Sequence, residues 1–147
     1  MITESRWQHI LGVARTAKIL ASRLKPNDNN YAEDMFLLGM LHDFGYEFTK
    51  NNLNHARIGG EILKRSDYKY WQEVALHGDE TVESMSDALF ILNCADMTTG
   101  PHGEKFTFEE RLSEIADRYG KNSAPYKKCA AEAQKLKADQ RISKLGI

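Results

Sequence analysis

Two adjacent residues in the segment MLHDFGYEF, His42 and Asp43, set an imidazole beside a carboxylate at the end of an apolar run. A carboxylate at a helix C-terminus faces the negative end of the macrodipole, and burial adds a further cost unless a cation compensates. The next residues along the chain, Phe44, Tyr46 and Glu47, bring no cation. Imidazole nitrogen and carboxylate oxygen are both metal ligands in type. Adjacent helical residues diverge by about 100°, so the pair can grip an ion at the helix edge without filling its coordination shell. Other helices must then supply the remaining donors.

Four more ionisable residues stand on or beside apolar helical faces. His9 is in line with Val13, Thr16 and Leu20, and His55 leads Ile58, Gly59 and Ile62. His77 closes the stripe Tyr70, Val74, while Asp96 follows Leu89 and Leu92 just before TTG. These offsets place each group on a definite flank of its helix. Taken singly, each histidine also reads as a core residue bonded to a backbone carbonyl, and Asp96 as a turn residue. That account needs six separate coincidences, where a single metal centre needs one.

The elements that must position these residues are helical throughout. Trp7, Ile10, Leu11, Ala14, Ala17, Ala21 and Leu24 repeat at helical spacing over 3–24, with Thr3 as a plausible N-cap. After the loop KPNDNN, YAEDMFLLGMLHDF reads as a helix apolar nearly all round and therefore central, ended by Gly45. Helical spacing returns over 55–65, over 68–77 with Asp67 as cap, and over 86–96. Thr107 and Glu110 form a capping box ahead of FEERLSEIADRY, Gly120 closes that helix, and Pro125 opens a last, polar one. With no run of alternating apolar residues, the chain reads as one all-α domain over 1–147.

Composition narrows the function classes. A formal charge of −1 leaves no basic footprint, which argues against long nucleic acids as partners. Two cysteines without metal-type spacing argue against a disulfide framework and for a reducing compartment. No segment approaches the ~18 apolar residues of a membrane span, and MITESRWQH has no signal-peptide pattern. The expectation is a soluble cytoplasmic protein with no membrane partner.

The ordered set His9, His42-Asp43, His55, His77 and Asp96 lies in RWQHILGVARTAKILA, LGMLHDFGYE, NHARIGGEIL, ALHGDE and NCADMTTG. It resembles the HD-domain superfamily of metal-dependent phosphohydrolases. The resemblance covers about residues 4–100, and ADMTTGPHGE with EERLSEIADRYG extends it to about 120 through a likeness to small bacterial HD proteins. It implies an HD-domain-like helical bundle around a central metal site, with C-terminal helices over about 107–144 outside that core. His9, His42, Asp43 and Asp96 match the residues that bind one metal, and His55 with His77 match the pair that holds a second, Asp43 bridging the two. Tyr46 stands where many catalytic relatives carry a lysine.

On that resemblance the cofactor is one or two divalent ions. Nitrogen and oxygen donors suit iron or manganese first, with cobalt, nickel and zinc as alternatives. The implied reaction is hydrolysis of a small phosphate ester or nucleotide by metal-activated water, with Asp43 as the shared catalytic carboxylate. Asp79 and Glu80, directly after His77, are candidates to protonate a leaving oxygen. Arg6, Lys50, Arg57, Lys105 and Arg111 are candidate phosphate-orienting cations, although side chains of this kind are mostly solvated. Arg57 is preferred for its nearness to His55, although helical geometry turns it roughly 200° away. The segment Met97–Arg111 is expected to form a rim that reads the substrate through Thr98, Thr99, His102, Lys105 and Arg111. Two other classes stay open: a dinuclear iron oxygenase using the same six ligands, and a regulatory metal- or nucleotide-binding domain. Oligomeric state is not legible in the chain.

Overall fold

The computed structural model describes residues 1–49 and 54–147, so the candidate cation Lys50 lies outside the described residues. Helices α1 (Glu4–Leu24), α2 (Asn29–Leu41), α3 (His55–Arg65), α4 (Trp71–Leu76), α5 (Asp87–Met97), α6 (Phe108–Tyr119) and α7 (Ala124–Ala138) follow one another, with 3-10 turns at Phe44–Phe48 and Gln140–Lys144. The described residues contain no strand beyond an isolated antiparallel bridge between Thr99 and Lys105. The architecture is the expected all-α bundle. No described helix is long and apolar enough to cross a membrane.

Local chemistry explains most helix ends. Thr3 accepts from the Arg6 amide, Asp28 from Tyr31 and Ser86 from Leu89. The Thr107/Glu110 capping box is present with both of its hydrogen bonds. Each side-chain cap satisfies a donor that the first helical turn leaves open.

Three expectations require correction. Helix α2 stops at Leu41, and Gly45 falls within the following 3-10 turn instead of ending the helix. At Asp43 the backbone (φ −106°, ψ 7°) leaves the α-helical path, and the Tyr46 amide bonds back three residues to the Asp43 carbonyl at 3.1 Å. Asp67 does not cap the fourth helix. It takes a left-handed conformation (φ 57°) after α3, where Asp67 N bonds Lys64 O and Tyr68 N bonds Leu63 O. This closure belongs to the end of α3, and α4 can start only at Trp71. The most central helix is α5, buried almost continuously from Ala88 to Ala95, whereas α2 leaves Leu37 about half exposed.

Helix α1 packs against α2 and α5, α3 packs against α4 and the Phe44–Phe48 turn, and α7 closes over α5 and α6. Two glycines allow the approaches that matter for function. A Cβ on Gly39 would lie 2.5 Å from Ala14 Cα, so its absence lets α2 lie against α1. A Cβ on Gly45 would lie 2.0 Å from the His55 carbonyl oxygen, and its absence lets the 3-10 turn touch the start of α3. The first approach brings His42 toward His9, and the second brings Asp43 toward His55.

Candidate metal centre

Each of the six singled-out residues arrives on a different part of the bundle. His9 comes from the second turn of α1, His42 from the end of α2, and Asp43 from the start of the 3-10 turn. His55 opens α3, His77 follows α4 in an extended conformation, and Asp96 sits in the last turn of α5. Asp43 lies among them. Its Oδ2 is 3.3 Å from His42 Nε2 and 3.8 Å from His9 Nε2, while its Oδ1 is 3.2 Å from His55 Nε2 and 3.3 Å from His77 Nε2. Asp96 Oδ1 is 2.9 Å from His9 Nε2 and 3.8 Å from His42 Nε2.

The outer hydrogen bonds fix which nitrogen faces inward. His9 Nδ1 donates to the Gly100 carbonyl at 2.9 Å, His42 Nδ1 to Gly39 at 2.6 Å and His77 Nδ1 to Val74 at 2.7 Å. In a neutral ring this leaves a bare lone pair on Nε2, the arrangement seen behind metal-bound histidines. His42 is fully buried and its Nε2 has no hydrogen-bond partner. Two donor groups, His9/His42/Asp96 and His42/Asp43/His77, each keep their ligand atoms within 4.8 Å of one another. A buried orphan nitrogen among convergent nitrogen and oxygen donors fits a divalent metal.

Charge tells the same story. Burial disfavours a proton on His42, but the adjacent Asp43 outweighs it and pushes the imidazole up to about 9, so with no ion present a proton takes the place on Nε2 that a metal would fill. Burial also disfavours the Asp43 anion, yet His42 and then the hydrogen bonds from His55 and His77 hold it well below the usual carboxylate range. Asp96 is held low against its own burial by His9 and His42. Two carboxylates kept ionised inside the protein require positive charge around them.

Further charge comes from Arg6 of α1, whose Nη1 donates to Asp43 Oδ2 at 3.0 Å. Its guanidinium also sits 4.0 Å from the centre of the Tyr46 ring, and Tyr46 stacks on His55 at 4.0 Å between centroids. Arg6 thus brings a cation from another helix to the side of Asp43 and Tyr46. Burial first, and Asp43 second, push the Tyr46 phenol up to about 12, so it stays neutral.

A cavity of about 220 Å³ opens over the centre, with Arg6, Tyr46, Arg111, Lys128, Cys129 and Glu132 among its walls. Glu132 is 4 % exposed and its Oε1 has no partner. Burial, then the charge of Asp96, push its carboxyl up to about 8. The sequence reading missed Glu132 and Lys128, since α7 looks uniformly polar; the signal available was Glu132 in register with Cys129, Ala133 and Leu136.

The remaining sequence candidates are not brought to this cavity. Arg57 is exposed on α3, turned away as helical geometry requires. Asp79 is used in a local turn, accepting from the amide and hydroxyl of Thr81, and Glu80 is likewise absent from the walls. Lys105 and His102 are exposed. Lys105 faces a separate cavity beside Phe106 and Ile147. Thr98 and Thr99 donate their hydroxyls to the Cys94 and Ala95 carbonyls at the end of α5, so neither hydroxyl is free for a substrate. The loop expected as a rim is pinned by Phe106 N to Thr98 O and Gly100 N to Glu104 O. It orients His9 through the Gly100 carbonyl. Cys94 and Cys129 are both free thiols.

A helical bundle that gathers four imidazoles and two carboxylates in one place could hold a divalent metal. The family model for the HD domain matches residues 6–122, and the chain belongs to that family, which consists mostly of metal-dependent hydrolases. Comparison with curated proteins and with solved structures gives no significant match. Helix α7, which carries Glu132, lies beyond the matched residues.

Proposed function

We propose that the protein is a metal-dependent phosphohydrolase acting on a small phosphate ester or nucleotide. The observation that carries this reading is Asp43, with one oxygen turned to His9 and His42 and the other to His55 and His77. A carboxylate so placed suits two ions: one held by His9, His42, Asp43 and Asp96, the other by Asp43, His55 and His77. When bound, divalent iron or manganese would supply Lewis acidity, lowering the pKa of a bound water and neutralising phosphoryl oxygens.

The chain's own residues then do the rest. Arg6 and Arg111, both in the cavity wall, are placed to orient a phosphoryl group by charge-assisted hydrogen bonds. Glu132 holds a proton near neutrality in the same wall and is the carboxyl on hand for a leaving oxygen. The carbonyls of Gly100, Gly39 and Val74 hold three imidazoles in the tautomer that keeps Nε2 free. A cavity of about 220 Å³ favours a small substrate over a polymer.

The test is metal analysis coupled to a phosphate-release screen over nucleotides, dinucleoside polyphosphates and sugar phosphates, in iron- and manganese-loaded protein. Release should require the metal and vanish with a chelator and in Asp43→Ala. A full metal complement with no phosphate released from any substrate overturns the reading. Oxygen consumption by the iron form would then assign an oxygenase, and silence in both assays a regulatory binder.

A further inference from the structure

A second recess of about 220 Å³ adjoins the cavity over the centre and shares Arg6, His9, Tyr46 and Arg111 with it. Its far side is made by Ser5, Arg118 and Tyr119, none of which lines the first cavity. Three guanidiniums therefore face one small space.

Their partners do not balance them. Arg6 donates to Asp43 at 3.0 Å, whereas Arg111 and Arg118 share a single carboxylate, Glu114, at 2.6 and 3.0 Å. Three guanidiniums and, among the described residues, no carboxylate line the recess, which leaves it cationic. Arg111 is 13 % exposed, and its Nε is buried without a hydrogen-bond partner. Arginine forks presented inside a polar pocket match the planar oxygens of carboxylate or phosphate. Because Arg6 and Arg111 stand at the boundary, a ligand oriented by them at the metal centre can extend a second group toward Arg118.

We infer that this recess is an anion subsite, and that the substrate is a small molecule carrying a second anionic group, carboxylate or phosphate, beside the phosphoryl group that reacts. The inference rests on the hydrolase reading of the neighbouring centre. It adds a requirement that a metal centre alone does not impose. A phosphate ester with a neutral leaving group would leave the recess to water, whereas a phospho-carboxylate or bisphosphate of similar length would fill both spaces.

Calorimetric titration of manganese-loaded protein with 3-phosphonopropionate and with propylphosphonate compares ligands of equal length, with and without the second anion. Neither can be hydrolysed, so binding is read apart from turnover. Unaltered protein should bind 3-phosphonopropionate about tenfold more tightly or better, as one added charge-assisted contact implies. Arg118→Ala should erase most of that difference and leave propylphosphonate within about twofold. Glu114→Gln, which releases both arginines, should strengthen 3-phosphonopropionate binding by a few fold, an effect that loss of packing does not produce. Equal affinity for the two ligands in the unaltered protein overturns the subsite, as does an equal loss for both in Arg118→Ala. Selective binding without phosphate release from any ester would keep the subsite and reject the hydrolase.

Discussion

The two sides of Asp43 are built differently. On the Oδ2 side, His9, His42 and Asp96 come from α1, α2 and α5, helices of 21, 13 and 11 residues packed against one another. Both histidines on that side are buried and hydrogen-bonded to carbonyls. On the Oδ1 side, His77 follows a helix of only 6 residues, and His55 is 22 % exposed and oriented by stacking on Tyr46. The first side is held within three mutually packed helices, the second by the first residue of α3 and the residue that follows the short α4. Donors that are positioned before the ion arrives lose less freedom on binding, so the Oδ2 side should hold metal more tightly.

The largest effect should come from removing what the two sides share. Asp43→Ala should empty both sides and lower phosphate release at least a thousandfold, on the order expected for loss of the whole metal centre. Its fold should weaken by about 3 kcal/mol, since Arg6 keeps its charge without its buried partner. Metal content by mass spectrometry and urea denaturation check both parts. A variant with a full metal complement would end the bridging account.

Removal of one side at a time sharpens the comparison. His55→Ala combined with His77→Ala should leave about one metal per chain and a folded protein with greatly reduced hydrolysis. His42→Ala should instead weaken the Oδ2 side, by about 100-fold in affinity, and leave His55 and His77 their ion. Equal retention of metal in the two variants would show the sides to be equivalent.

A smaller effect concerns Glu132. Its folded pKa, raised to about 8 from an ordinary 4.5, means that the unfolded chain gives up its proton first as pH rises. Its contribution to stability is therefore complete below about pH 4.5 and is lost progressively up to about pH 8. Glu132→Gln, compared with the unaltered protein in chelator, should flatten this slope and be the more stable of the two at pH 8 and above. Parallel pH profiles for the two proteins would show that Glu132 does not titrate as described.

The smallest effects should appear on the far side of the loop. Lys105→Ala and His102→Ala should each leave kcat/KM within about twofold, because neither side chain lines the cavity over the centre. A tenfold rise in KM in either would restore this loop as a reader of substrate.

The contrast between the two cavities beside that loop shows why size is a poor guide to function. The larger, of about 510 Å³, is bounded by Lys105, Phe106 and Ile147, away from the histidines. The smaller, over the centre, holds the buried unpaired Glu132 and the convergent imidazoles. Unsatisfied buried polar groups carry a free-energy cost that void space does not, and they point to chemistry more directly.

Some of this was determined by the sequence alone. Apolar repeats at three and four residues give the helices, because burial of one face sets that period within a single element. The Thr107 capping box and the stripes that carry His9, His55 and Asp96 are local in the same sense. Other features depended on tertiary structure. Arg6 reaches Asp43, 37 residues away, only because α1 lies against the end of α2. Glu132 is buried only because α7 docks across α5. Likewise Thr98 and Thr99 are consumed in capping α5, which no count of hydroxyls near a ligand could reveal. Periodicity states which face of a helix is covered, but the covering partner is chosen by the crossing of helices, and long charged side chains take their roles from that crossing.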